Sequence, residues 1–156
     1  MARTYCLAAS MLICVSTHSA TLNAKQPGST YCFNQVCHRV MTVTEVEARL
    51  WKEERVQASF YDDCKVDPGN PCGATSSGET FRPGRADNAA SPIYPNGTRV
   101  LVTNPDTGRG LLLHINNSGP YHGTRTLDVS RAAAEQLGFA YAGVTVLTLR
   151  PISVSR

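Results

Sequence analysis

Apolar and polar positions alternate in two neighbouring stretches of the chain. Val100 and Val102 alternate with Arg99 and Thr103, and Leu111, Leu113 and Ile115 alternate with His114 and Asn116. A period of two is the mark of strands that turn one face to a core. Asn104-Pro105-Asp106-Thr107-Gly108 between them is strong turn chemistry, so the two strands read as a hairpin. From Val56 onward, short β-type runs separated by Gly, Pro, Asn and Asp predict strands at 56–61, 78–82, 98–104, 110–116, 124–128 and 143–150. One helix interrupts them: Ser130 can cap it, Ala132, Ala133, Ala134 and Leu137 favour it, and Gly138 ends it. Upstream, Thr44-Glu45-Val46-Glu47 has a capping-box pattern, and Val43, Val46 and Leu50 form an apolar stripe. This predicts a surface helix over 44–54, with Trp51 as a packing anchor. About 95 residues of short strands with one inserted helix predict a mainly β fold, a small barrel.

Composition narrows the possibilities further. The chain has 156 residues, 42% hydrophobic and 17% charged, with 12 Gly and 9 Pro. That suits one turn-rich domain and excludes a large multidomain enzyme, an all-helical bundle and a disordered chain. Lys plus Arg exceed Asp plus Glu by 15 to 12, and a net charge of +3 leaves no strong footprint for nucleic acid or an anionic membrane. Arg3, an apolar run from Tyr5 to Val15, then Ser16, Thr17, Ser19 and Ala20 follow the order of a secretory signal, predicted over 1–20. The run is too short to span a bilayer, so no membrane span is expected. Bulky Leu12 and Ile13 before Cys14 argue against a lipid anchor. The expected location is secreted or periplasmic.

Loss of Cys6 and Cys14 with the leader leaves Cys32, Cys37, Cys64 and Cys72, an even set that suits an oxidising compartment. Three pairings are possible. The two local ones, Cys32 with Cys37 and Cys64 with Cys72, are favoured because each closes a short loop. Neither spacing is the C-x₂-C of a structural zinc site, so no metal is expected, and His38 reads as an exposed loop residue. Residues 21–55 form an N-terminal arm with its helix, and 56–152 the barrel.

Three stretches place polar groups beside backbone-permissive residues: 76–81, 116–121 and 125–130. Glycosidic cleavage needs a carboxyl group that gives a proton to the leaving oxygen and a second group to support an oxocarbenium-like transition state. Glu79 and Asp128 are the candidates. Asp128 precedes the helix capped by Ser130, whose positive end is expected to favour its ionised form. Glu79 lies beside Gly78 and Phe81, where partial burial is expected to raise its pKa. Tyr61, Tyr94 and Tyr121 can stack on sugar faces or simply pack the barrel. His114 points outward from its strand, and His122 can line a groove.

The order of these stretches resembles the RlpA-like double-psi β-barrel family, named for rare lipoprotein A, whose characterised members are endolytic peptidoglycan transglycosylases. The resemblance runs from Ala58-Ser59-Phe60-Tyr61 through Thr75-Ser76-Ser77-Gly78-Glu79-Thr80-Phe81, Asn88-Ala89-Ala90-Ser91 and Tyr94–Asn104. It continues through Asn116-Asn117-Ser118-Gly119-Pro120-Tyr121 and Arg125-Thr126-Leu127-Asp128-Val129-Ser130 to Gly143-Val144. It implies a six-stranded double-psi barrel with one or two short helices behind a disulfide-pinned arm, similar to the first domain of expansins. It also implies cleavage of the MurNAc–GlcNAc β-1,4 bond of peptidoglycan glycan strands, with 1,6-anhydroMurNAc formed, by a monomer needing no cofactor. Glu79 and Asp128 match family carboxylates. Asn117 stands where the family has aspartate, and Ser91 where it has histidine. Asn117, Ser91, Tyr121 and His122 are the expected sugar-binding residues. The two departures keep a second reading open, a non-catalytic, expansin-like wall-binding module.

Overall fold

The computed structural model describes residues 25–68, 70 and 73–155. The predicted leader lies outside the described residues. The elements follow the order β1 (Thr30–Phe33), β2 (Val36–Arg39), α1 (Val43–Glu47), β3 (Glu54–Tyr61), β4 (Asn88–Ala90), β5 (Arg99–Thr103), β6 (Gly110–Asn117), β7 (Leu127–Ser130), α2 (Arg131–Leu137) and β8 (Val144–Ser153). The hairpin β1–β2 stands apart, while the other six strands close into a barrel in the order β3-β7-β4-β6-β5-β8. Two of the barrel pairs, β3 with β7 and β4 with β6, are parallel. The remaining pairs are antiparallel, including the hairpin β5–β6 predicted from alternation.

The alternation fills the barrel. Val100, Val102, Leu113 and Ile115 are buried, as are Val56 and Ala58 of β3 and Leu147 and Leu149 of β8. Each such Val, Leu or Ile contributes about 1.5–3 kcal/mol relative to exposure. Helix α2 packs Ala133, Ala134 and Leu137 against this core. Its caps are those expected: Ser130 Oγ accepts from Ala133 N at 3.2 Å, and Gly138 closes the helix at φ 85°.

Several elements depart from expectation. The stretch 78–82 is not a strand; only an isolated bridge between Ala74 and Thr80 forms there, and a loop results. The sixth strand is instead β4, three residues buried throughout. The strand expected at 124–128 begins later, at Leu127. Helix α1 is shorter and starts earlier, because Thr42 caps it: Thr42 Oγ1 accepts from Glu45 N, and Glu45 Oε2 accepts from Thr42 N at 2.7 Å. Starting there also sets buried Met41 before the cap and buried Val46 on the first turn, a hydrophobic staple. Trp51 is no packing anchor. The chain reverses there at φ 65°, its N–H donates to Pro151 O, and the side chain is 66% exposed.

Cys32 and Cys37 form a disulfide across β1–β2. Cys64 is disulfide-bonded as well, and its expected partner Cys72 lies outside the described residues. His38 sits half-buried on β2 with its ring 6.0 Å from that of Tyr121, not in an exposed loop. The arm is tied to the barrel by Met41 N, which donates to Ile93 O, and by buried Lys25, whose Nζ donates to Ser91 O and Asn117 O. No helix among the described residues is long and apolar enough to cross a membrane.

Candidate active site

Parallel pairing of β3 with β7 places Ser59 directly beside Asp128. The Ser59 hydroxyl donates to Asp128 Oδ1 and accepts from Arg125 Nη1 at 2.9 Å. Asp128 lies at the side of a groove of about 530 Å³ that Tyr61, Asn117, Tyr121, His122 and Arg125 also line. Burial pushes its carboxyl from 3.8 up to about 6, against the smaller opposing effects of the Ser59 hydrogen bond and the Arg125 and His122 charges. This reverses the expectation from the helix end. The first-turn N–H groups of α2 are already taken, Ala132 N by Pro83 O and Ala133 N by Ser130 Oγ. Desolvation therefore outweighs the dipole.

Glu79 also behaves opposite to expectation. Its side chain is 52% exposed, and it accepts from Asn116 Nδ2 at 3.0 Å and meets His114 Nε2 at 2.9 Å. Those contacts hold its carboxyl below the ordinary range. The other ring nitrogen of His114 faces Asp87 O at 2.7 Å, so both nitrogens address acceptors. Glu79 lines a separate cleft of about 300 Å³ with Arg82, Arg85, Asp87 and His114, so the two expected catalytic carboxylates do not share one groove. Tyr61 feels the charge of both.

Asn117 reaches the groove, but its carboxamide oxygen is occupied by two backbone donors, Ser76 N at 3.0 Å and Ser118 N at 2.9 Å. It ties the Glu79 loop to the end of β6 and has no acidic proton to give or take near neutral pH. Tyr121 and His122 stand at the groove wall, the latter exposed. Ser91 does not. It is fully buried, and its hydroxyl donates to Thr126 O while accepting from Ile93 N and Tyr94 N. Tyr94 is likewise buried, its hydroxyl donating to Glu54, and so offers no face to a sugar. Ser59 and Arg125 lay inside recognised stretches, yet their link to Asp128 depends on a strand pairing between distant segments. Among the described residues no group of three or more His, Cys, Asp or Glu stands close enough to hold a metal ion.

The closed six-stranded barrel with its two parallel pairs, β3 with β7 and β4 with β6, is a double-psi β-barrel. The chain belongs to the lytic transglycolase family, whose pattern it matches over residues 53–148. It is 38% identical over 78 residues to the endolytic peptidoglycan transglycosylase RlpA of Neisseria meningitidis, covering 50% of this chain and 32% of that protein. A probable transglycosylase of the same name from Nostoc sp. is 42% identical over 87 residues, 56% of this chain and 22% of that one. The chain thus spans about a third or less of the length of these relatives. Among solved structures, the Streptomyces papain inhibitor shares the fold at a TM-score of 0.52 and 20% identity, over 66% of this chain and 96% of that one.

Proposed function

We propose that this protein is a secreted or periplasmic lytic transglycosylase that cleaves MurNAc–GlcNAc β-1,4 bonds in peptidoglycan glycan strands. The observation that carries the reading is Asp128: a carboxyl of raised pKa, hydrogen-bonded by one hydroxyl, beside an open groove in a barrel of this family. A carboxyl titrating near 6 holds a proton in mildly acidic surroundings and still leaves a usable base after releasing it.

The chemistry needs one such group. Asp128 gives its proton to the glycosidic oxygen as the bond from the MurNAc C1 breaks. The 6-hydroxyl of the same MurNAc then closes on C1, and its proton passes to the Asp128 carboxylate. The acid is regenerated, no water is consumed, and the product ends in a 1,6-anhydro ring. Arg125 and Ser59 orient the carboxyl, and Asn117, Tyr121 and His122 contact the sugars. Glu79, ionised in the adjoining cleft, adds negative potential that favours the oxocarbenium-like transition state.

Peptide-free glycan strands incubated with the purified, oxidised protein are expected to yield 1,6-anhydroMurNAc ends by mass spectrometry, lost in Asp128→Asn and reduced in Glu79→Gln. Strands left intact by the parent protein would refute the reading. Asn117, in place of the family's aspartate, favours the second reading of a glycan-binding barrel, for which intact strands would still sediment with the protein.

A further inference from the structure

One wall of the groove does not come from the barrel. Phe33, at the tip of the β1–β2 hairpin, lines the same groove as Asp128 and His122 although it precedes the residues that match the family. Its side chain is 61% exposed, a large apolar face left in solvent. The ring lies 6.2 Å from that of Tyr121, tilted by 56°, and the His38 ring lies 6.0 Å from the same Tyr121.

The hairpin is held in place. Asn34 and Gln35 at φ 46° and 65° make the two-residue turn that pairs Phe33 with Val36, and both need the left-handed region that such tight turns require. The Cys32–Cys37 disulfide staples the next pair. Lys25 and Met41 then fix both ends of the arm to the barrel. A fixed, exposed aromatic loses little conformational freedom when a partner covers it.

We propose that Phe33 is a specificity-determining residue for glycan: with Tyr121 it forms a stacking platform for the pyranose face of a sugar ring next to the cleaved bond. The inference rests on the glycan-directed reading above. The occupant follows from the chemistry of the groove lining. The aromatic rings of Phe33 and Tyr121 suit the C–H face of a pyranose, while Asn117, His122 and Arg125 in the same groove suit its hydroxyls and any attached carboxylate. A lipid surface would leave those polar groups unmatched, and a peptide lacks the flat C–H face that the two rings suit.

The test is affinity for peptide-free glycan strands, measured in an Asp128→Asn background so that strands are not consumed. Phe33→Ala is expected to raise Kd about five- to tenfold, the size of one aromatic contact, with an unchanged melting temperature. Phe33→Tyr is expected to stay within about twofold of Phe33. Unchanged affinity in Phe33→Ala, or a loss that Tyr does not restore, would overturn the platform. So would a Phe33-dependent dimer in sedimentation with unchanged glycan affinity, which would make the ring a self-association contact. Anhydro product from the parent with a silent Phe33 removes the platform and keeps the enzyme. Phe33-dependent binding without product removes the enzyme and keeps the platform, and a parent that neither binds nor cleaves removes both.

Discussion

Replacing Asp128 by Asn should stabilise the protein at neutral pH and not in acid. The carboxyl has a folded-state pKa of about 6 against 3.8 when unfolded, with burial as the main cause. The folded chain therefore holds a proton that the unfolded chain has already released between those values, and stability falls as pH rises through that window. Below 3.8 both states are protonated, and the carboxyl costs nothing; above 6 the full penalty is present. A little over two decades of proton affinity, at about 1.4 kcal/mol each, make that penalty about 3 kcal/mol. Asn keeps an oxygen for the Ser59 hydroxyl and carries no charge, so Asp128→Asn removes the penalty. For a domain of this size the gain corresponds to roughly 10 °C in Tm at pH 7.5. The assay is differential scanning calorimetry of parent and variant at pH 7.5 and pH 3.5, with the difference of differences as the readout. That quantity cancels whatever the amide does to packing at both pH values. An equal Tm difference at the two pH values, or a variant that gains only in acid, would refute the account of Asp128 as a desolvated acid.

Activity should follow the same group: the rate of anhydro-end formation is expected to fall about tenfold per pH unit above roughly 6, and a flat profile from pH 5 to 8 would place the acid elsewhere. Ser59→Ala removes a hydrogen bond that holds the Asp128 pKa down, so the alkaline limb of that profile should move up by about one pH unit, as a rate–pH titration would show. Asn117→Asp should change the rate by less than about tenfold while Asp128→Asn loses about 10²-fold or more, the order expected for one acid; a reversed ranking in product yields would move the shuttle to position 117. Burial lowers the Lys25 pKa from 10.5 to about 7. The unfolded chain then binds the extra proton between those values, so parent stability relative to Lys25→Met should rise from pH 7 toward 10, read as Tm differences.

Where local signals carry structure, the chain is readable. The β5–β6 hairpin follows from alternation around a Pro-Asp turn, α2 from Ser130 and Gly138, and the Cys32–Cys37 bridge from proximity in the chain. The elements that escape are set by neighbours. β4 is three small buried residues with no alternation, a strand because β6 and β7 flank it. Thr42 and Thr44 each precede a Glu by three residues, and burial of Met41 and Val46 selects the first. At the site, the order of motifs points to Asp128 and Glu79, but the direction of each pKa shift is the reverse of that expected. Those depend on which side chains the barrel sets against them, Ser59 from a distant strand for one, and Asn116 with His114 for the other. The buried place of Ser91 is a matter of the same kind, since nothing adjacent in sequence shows that Thr126 receives its hydroxyl.

Ser59 and Asp128 are separated by 69 positions along the chain, yet they touch because β3 and β7 run side by side. Pairings between such distant segments form late, after loop closure has been overcome. An emerging or partly folded chain accordingly has the carboxylate in water, with an ordinary acidity and no groove around it. On the proposed reading, the acid and its groove arrive together with barrel closure, and a chain that fails to close lacks both.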